Sequence, residues 1–287
     1  MSQTVLITGV NSGFGKLIAN TLAGAGFKVV GSMRDVAGRN ASIAQEFRSK
    51  GIKIVEIDVT SDESVADAVN KAGNIDVLIN NAGVGSLGWQ DCFDIEDFKK
   101  IFDVNVFGVQ RLTRGVLPHM KQQGNGTIIQ ISSVLGKFVL PFLGSYNATK
   151  HAVEGLVENY RVELSQFGIQ SLIVQPGGFD TGFGVGLLKA SDEERATSYG
   201  EYASAPEQMW SGVAASQQME GAQNPQIVAD AVLNLLNMEP SERPFRTTVD
   251  NTGMGTAVDG INKATEDAMQ GVYGALEMTN LFDLRNE

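Results

Sequence analysis

Short apolar runs alternate with amphipathic stretches along most of the chain. Thr4–Thr8, Lys28–Gly31, Lys53–Ile57, Val77–Ile79, Thr127–Ile131 and Ser171–Val174 show no polar alternation, which marks strands buried on both faces. Segments with apolar residues at helical spacing fill the intervals, among them Lys16–Ala25, Ile95–Lys121 and Ala148–Phe167. Strand, helix and strand in repetition predict an α/β fold, a Rossmann-type doubly wound parallel sheet with helices on both faces. A helix over Pro225–Leu236, its proline suited to a first turn, leads to a candidate edge strand Phe245–Val249. That makes about seven strands, within the usual range for such sheets.

Two stretches depart from the alternation. From 183 to 221 the pattern dissolves into Gly, Ser, Ala, charged residues and scattered aromatics, which predicts a long insertion with one or two helices. Insertions of this length are often lids over a site. A C-terminal extension over 258–287 is expected to be helical from about Val258 to Met278. With 287 residues and no linker or repeat, one domain over 1–287 is expected.

Charge and cysteine content narrow the partners. The net charge of −11 repels phosphate backbones and anionic membrane surfaces, so neither nucleic acid nor membrane is expected as a partner. Cys92 is the only cysteine, no run reaches about 18 apolar residues, and the chain opens directly into a strand pattern. A cytoplasmic location is expected. Two histidines and one cysteine give no metal-ligand spacing, so no metal is expected. His119 and His151 fit helix surfaces, and Trp89, Trp210 and the methionines read as packing.

The first candidate chemistry follows the first strand: Thr8-Gly9-Val10-Asn11-Ser12-Gly13-Phe14-Gly15, then a helix. Glycines let the backbone turn tightly against a pyrophosphate, and the helix N-terminus offers free N–H donors. The spacing Gly-x3-Gly-x-Gly differs from the common dinucleotide fingerprint, but strand, glycine turn and helix come in the required order. Gly9, Asn11, Ser12, Gly13, Phe14 and Gly15 are therefore candidate cofactor contacts. The second strand ends in Gly31-Ser32-Met33-Arg34-Asp35. The Arg34 guanidinium suits the 2′-phosphate of NADP(H), whereas Asp35, read as a ligand of the ribose hydroxyl, would indicate NAD(H). NADP(H) is the favoured cofactor.

Tyr146 and Lys150 stand four residues apart in an amphipathic helical pattern and share a face. A phenol loses its proton near pH 10, and a proton shuttle working near neutrality needs roughly 2–3 units less, which a nearby ammonium helps to supply. Ser133 lies just beyond the Thr127–Ile131 strand, where doubly wound folds place their crevice, and its hydroxyl can bond a substrate oxygen.

In these motifs, from about Thr4 to Thr181, the chain resembles the short-chain dehydrogenase/reductase family, in the branch with Thr-Gly-x3-Gly-x-Gly and Tyr-x-x-x-Lys. The resemblance implies that Asn80-Asn81-Ala82-Gly83 steadies the sheet and lines the adenosine side, and that Asp58 and Val59 flank the adenine. It implies that Asn105 kinks its helix and holds a water linking the lysine to solvent. Ser133, Tyr146 and Lys150 become the catalytic set, with Lys150 also holding the ribose hydroxyls and depressing the tyrosine pKa. Pro176, Gly177, Phe179 and Thr181 fall in the segment that touches the nicotinamide amide, although a phenylalanine at 179 is larger than the usual aliphatic residue. Family members usually pair through the helices corresponding to Ile95–Lys121 and Ala148–Phe167, so a homodimer or homotetramer is expected.

The expected activity is therefore an NADP(H)-dependent interconversion of a carbonyl compound and an alcohol. Val134, Leu135, Phe138, Val139, Leu140, Phe142, Phe179 and Phe183 gather near the inferred site, which suggests an apolar pocket for lipophilic ketones, steroids or retinoid-like molecules. A non-catalytic NADP(H)-binding sensor on the same fold is the alternative, but such a protein could discard the tyrosine or lysine, and both are present. An enoyl reductase would carry a longer tyrosine-to-lysine spacing. A sugar epimerase relative would have a different glycine turn and a larger C-terminal domain.

Overall fold

In the computed structural model, which describes residues 2–285, every apolar run singled out above becomes a strand. The chain runs β1 (Thr4–Thr8), α1 (Gly13–Gly24), β2 (Lys28–Met33), α2 (Ala41–Ser49), β3 (Lys53–Glu56), α3 (Asp62–Ala72) and β4 (Val77–Asn80). A short β5 (Ser86–Leu87) precedes α4 (Ile95–Phe102) and α5 (Gly108–Gln123), followed by β6 (Gly126–Ile131), α6 (Gly144–Leu164) and β7 (Ile169–Pro176). The insertion carries β8 (Leu188–Lys189), α7 (Glu193–Thr197) and α8 (Ala205–Ser216). Then come α9 (Gln226–Asn237), β9 (Arg246–Val249) and α10 (Met254–Ala275). The last helix thus begins four residues before the apolar pattern announces it, because Asp250 accepts from the Gly255 N–H and anchors its first turn.

A seven-stranded parallel sheet in the order β3-β2-β1-β4-β6-β7-β9 forms the centre. Successive residues of one strand serve opposite faces. Val5 and Ile7 enter the core shared with α1, α2 and α9, while Leu6 enters the core shared with α3 and α5. Ile129 and Ile128 divide in the same way. That is why these strands read as unbroken apolar runs. Phe47 is fully buried, and truncating such a side chain to alanine costs about 3–5 kcal/mol.

The single helix expected over Ile95–Lys121 is interrupted. Residues 103–107 form a π turn between α4 and α5, and this extra residue in the turn lets Asn105 point inward. Its amide donates to Val84 O (2.8 Å) and Thr149 Oγ1 (3.0 Å), and its oxygen accepts from Val84 N (2.9 Å). Among the described residues no helix is long and apolar enough to cross a membrane.

Candidate active site

The strand order reverses between β1 and β4, and at their C-terminal ends opens a cleft of about 1320 Å³. Gly9 (φ 71°) and Gly13 (φ 52°) shape its floor in the left-handed region that favours glycine. Asn11, Ser12, Gly13 and Phe14 line the cleft, and no side chain caps the N-terminus of α1, so its first-turn N–H groups are left for a ligand. Gly15 does not line it. A Cβ there would sit 2.3 Å from Gly9 O and 2.5 Å from Asn81 Nδ2, so Gly15 acts by letting α1 pack under the turn. The Asn81 amide donates to Thr8 O (2.8 Å) and Gly9 O (3.1 Å), stitching β4 to the same turn, while Ala82 and Gly83 extend the wall.

At the other wall Arg34 lines the cleft with Asp58 and Val59. Burial works against the Asp58 charge, but hydrogen bonds from Thr60 and the Arg34 and Arg111 charges hold its pKa below the ordinary carboxylate value. Asp35 is turned onto its own loop: φ is 52°, its carboxylate accepts from Arg39 N (3.0 Å), and its carbonyl accepts from Gly38 N and Asn40 N. Of the two neighbours that compete for the 2′ position, only Arg34 faces the cleft.

The sheet and α6 bring Ser133, Tyr146 and Lys150 together at the inner end. Ser133 leads a short 3-10 turn over Val134–Gly136, its Oγ accepting from Leu135 N (3.1 Å). The first turn of α6 is pinned by Ser86, whose Oγ accepts from Tyr146 N (3.1 Å) and from the Ser145 hydroxyl (2.7 Å). Lys150 Nζ donates to Ile131 O (3.1 Å) and lies 5.6 Å from the Tyr146 ring centre. Burial brings Lys150 down to about 8, with the Glu154 charge opposing the change. Burial also pushes the Tyr146 phenol up, and the neighbouring Ser133 hydroxyl, a donor toward the phenol oxygen, offsets only part of this. The direction set by burial is opposite to the depression expected from the lysine, whose ammonium donates to Ile131 O in the free protein. Asn105 does not line the cleft; it is bonded to the lining residue Val84 and to Thr149, whose hydroxyl donates to Tyr146 O (2.7 Å).

Pro176 at the end of β7 and Gly177, Phe179 and Thr181 beyond it line the cleft. The large residue at 179 is accommodated by an edge-on contact with Phe14, ring centres 5.5 Å apart. Beyond it Phe183 stands over Tyr146 (5.3 Å) and Trp210 over Phe183 (6.4 Å). Val134, Leu135, Leu140 and Phe183 line the cleft as the pattern suggested, whereas Phe138, Val139 and Phe142 do not. Val139 is exposed and Phe142 packs on Trp89. Trp210, read from sequence as packing, lines the cleft with Leu143, Val213 and Met219. Those positions lie in or beside stretches without clear periodicity, so no local signal marked them. The insertion is tethered in its first half: β8 pairs with β5, Ser191 N donates to the buried Asp97 carboxylate (2.9 Å), and Tyr199 stacks on Trp89 at 3.9 Å.

The short-chain dehydrogenase family model matches residues 3–191. The chain is 40% identical to bovine (Bos taurus) retinol dehydrogenase 8 over 194 residues, 65% of this chain and 62% of the bovine protein. It is 37% identical to the 3-ketodihydrosphingosine reductase of Bacteroides thetaiotaomicron over 69% of this chain and 73% of that one. With human 17-beta-hydroxysteroid dehydrogenase type 1 it shares 34% identity over 86% of this chain and 78% of the relative. Among solved structures, a short-chain dehydrogenase from Streptomyces avermitilis superposes with a TM-score of 0.75 at 27% identity, covering 96% of this chain and 97% of that one. An alcohol dehydrogenase from Thermococcus sibiricus complexed with 5-hydroxy-NADP gives 0.68 at 25% identity, covering 88% and 97%. A 3-ketoacyl-(acyl-carrier-protein) reductase from Brucella melitensis complexed with NADH gives 0.71 at 27%, covering 87% and 97%.

Proposed function

Since the chain belongs to the short-chain dehydrogenase family of oxidoreductases, we propose that it interconverts a carbonyl compound and an alcohol with NADP(H), using Tyr146 as general acid and base. The observation that carries this reading is one cleft with Ser133, Tyr146 and Lys150 at its inner end and a glycine turn with Arg34 along its walls. The residues fit a dinucleotide: the uncapped α1 N-terminus suits the pyrophosphate and Arg34 the 2′-phosphate. When bound, that cofactor supplies the hydride chemistry.

In the reductive direction Tyr146 gives its phenolic proton to the substrate oxygen, and Ser133 donates a hydrogen bond to the same atom. The buried phenol favours its protonated form, which suits a proton donor at neutral pH. Lys150 offsets the negative charge that develops on the phenol oxygen. In the oxidative direction the phenolate takes the proton back, which asks more of Lys150. The apolar wall of Leu135, Leu140, Phe183 and Trp210 supports a lipophilic substrate, as do relatives named for retinol, a steroid and ketodihydrosphingosine.

Tyr146→Phe tests the mechanism, because it removes the proton and keeps the packing. Turnover in a carbonyl panel assayed with NADPH should fall by at least about a hundredfold with unchanged NADPH affinity. A variant that turns over near the native rate rules this mechanism out. The exposed Phe107, beside the α4 to α5 junction, supports pairing of two copies through α4, α5 and α6 as a homodimer or homotetramer. A monomer in light scattering at micromolar concentration removes that part of the reading.

A further inference from the structure

Beneath the catalytic residues lies a buried carboxylate to which the mechanism above assigns nothing. Glu154 is 1% exposed and stands one helical turn beyond Lys150 on α6. A lone buried carboxylate is costly, and this one is fully engaged. Its Oε1 accepts from Ser132 Oγ (2.7 Å) and Gln175 Nε2 (2.9 Å), and its Oε2 pairs with Lys137 Nζ (3.0 Å). Gln175 is itself wholly buried and is held by Asn262 of α10, whose Nδ2 donates to Gln175 Oε1 (2.7 Å). Gly136 completes the socket, since a Cβ there would come within 2.4 Å of Glu154 Oε1.

These partners are the residues from which the site hangs. Ser132 precedes Ser133, Lys137 closes the 3-10 turn that Ser133 opens, and Gln175 precedes the Pro176–Thr181 segment. We propose that Glu154 is a positioning residue for the reaction, holding Lys150 as an ammonium and fixing the ends of β6 and β7 that present Ser133 and the Pro176–Thr181 segment. This rests on the dehydrogenase reading above.

The charge balance around Glu154 gives the proposal a sign. From α6 it is faced by Lys150 and Glu158, from the turn after β6 by Lys137, from β9 by Arg246 (4.0 Å) and, behind Arg246, from α10 by Glu266. Arg246 is also paired with Glu158, and Arg161 with Glu266 at 2.7 Å. Neutralising Glu154 leaves Lys150 among cations and makes it a weaker base. Neutralising Lys137 removes a cation and leaves the Glu154 charge less compensated, which makes Lys150 a stronger base. A purely structural role gives no such opposition.

The test follows the Lys150 titration directly, by the Cε chemical shift of 13C-lysine-labelled protein assigned with Lys150→Met, in wild type, Glu154→Gln and Lys137→Gln. The midpoint should fall by roughly one pH unit in Glu154→Gln and rise by a comparable amount in Lys137→Gln. In parallel, the alkaline limb of kcat/KM for NADPH-dependent carbonyl reduction should move in the same two directions, since reduction requires both the ammonium and the protonated phenol. Coincident midpoints in all three proteins overturn the proposal, as do shifts of one sign in both variants. If Glu154→Gln does not fold, the upward shift in Lys137→Gln carries the test and an unmoved midpoint there refutes it. Opposed titration shifts in a protein that reduces none of the carbonyls leave the positioning role of Glu154 on Lys150 standing and refute the dehydrogenase reading instead. Turnover without those shifts does the reverse.

Discussion

Replacing Arg34 with alanine should separate the two dinucleotides. The guanidinium lies on the cleft wall at the end of β2, and its neighbour Asp35 is committed elsewhere. The Asp35 carboxylate accepts from Arg39 N, and a Cβ on Gly38 would sit 2.2 Å from its Oδ1, so it is folded tightly onto its own loop. Reaching a ribose hydroxyl would mean unmaking that turn. With Asp35 so placed, discrimination on the proposed reading falls to Arg34. Loss of a charge-assisted, bidentate contact to a phosphate costs about 1.5–3 kcal/mol, or roughly 10- to 150-fold in affinity. NADPH should therefore bind Arg34→Ala weaker by that factor, while NADH, lacking the phosphate, should scarcely change. The assay is a pair of dissociation constants by calorimetry for wild type and variant, at one fixed ionic strength because salt screens phosphate contacts. Wild-type preference for NADH, with NADPH binding indifferent to Arg34→Ala, would return the assignment to Asp35. Met33 is the less suitable place to reverse the preference. It lines the cleft but is otherwise buried in the core beside α1, so an aspartate there would place a charge in a largely apolar setting.

Two further outcomes follow from the same geometry. Hydrogen exchange should find 188–199 already protected without ligand, since β5, Asp97 and Trp89 tether it, whereas 200–221 should gain protection only with cofactor and a substrate analogue; equal protection of 200–221 in both states argues against a lid. Lys150 titrates at about 8 when folded against an ordinary 10.5, so between these values the unfolded chain holds a proton that the folded protein lacks, and stability rises with pH. Relative to Lys150→Met, the unfolding free energy of the native protein should climb by at most about 3 kcal/mol from pH 8 to 10.5, and a constant difference in chemical denaturation refutes this.

The features that the chain announces are those made by neighbours in sequence. Strands buried on both faces must be apolar at every position, so β1, β4 and β6 stand out as runs. The glycine turn is a matter of φ at Gly9 and Gly13, and Tyr146 and Lys150 share a face because four residues make about one turn of helix. Ser133 is marked by its place just beyond β6, where doubly wound sheets open their crevice. These parts of the site depend on backbone rules that hold wherever the segment is placed.

What the tertiary structure alone decided lies in contacts between residues far apart in the chain. Asp97 and Ser191 are separated by 94 positions, and Gln175 and Asn262 by 87, and no periodicity in either segment foretells the partner. Glu154 reads in isolation as one more polar residue of an amphipathic helix, yet β6, β7, β9 and α10 enclose it. Likewise the residue types favour Arg34 over Asp35 in the sequence, but only the turn after β2 directs one along the cleft and the other away from it. Local patterning determined which elements form and where the chemistry stands on them. The orientation of each side chain, and hence its charge state and its partner, depended on what the packed sheet and helices brought against it, because burial and electrostatics are properties of the assembled environment.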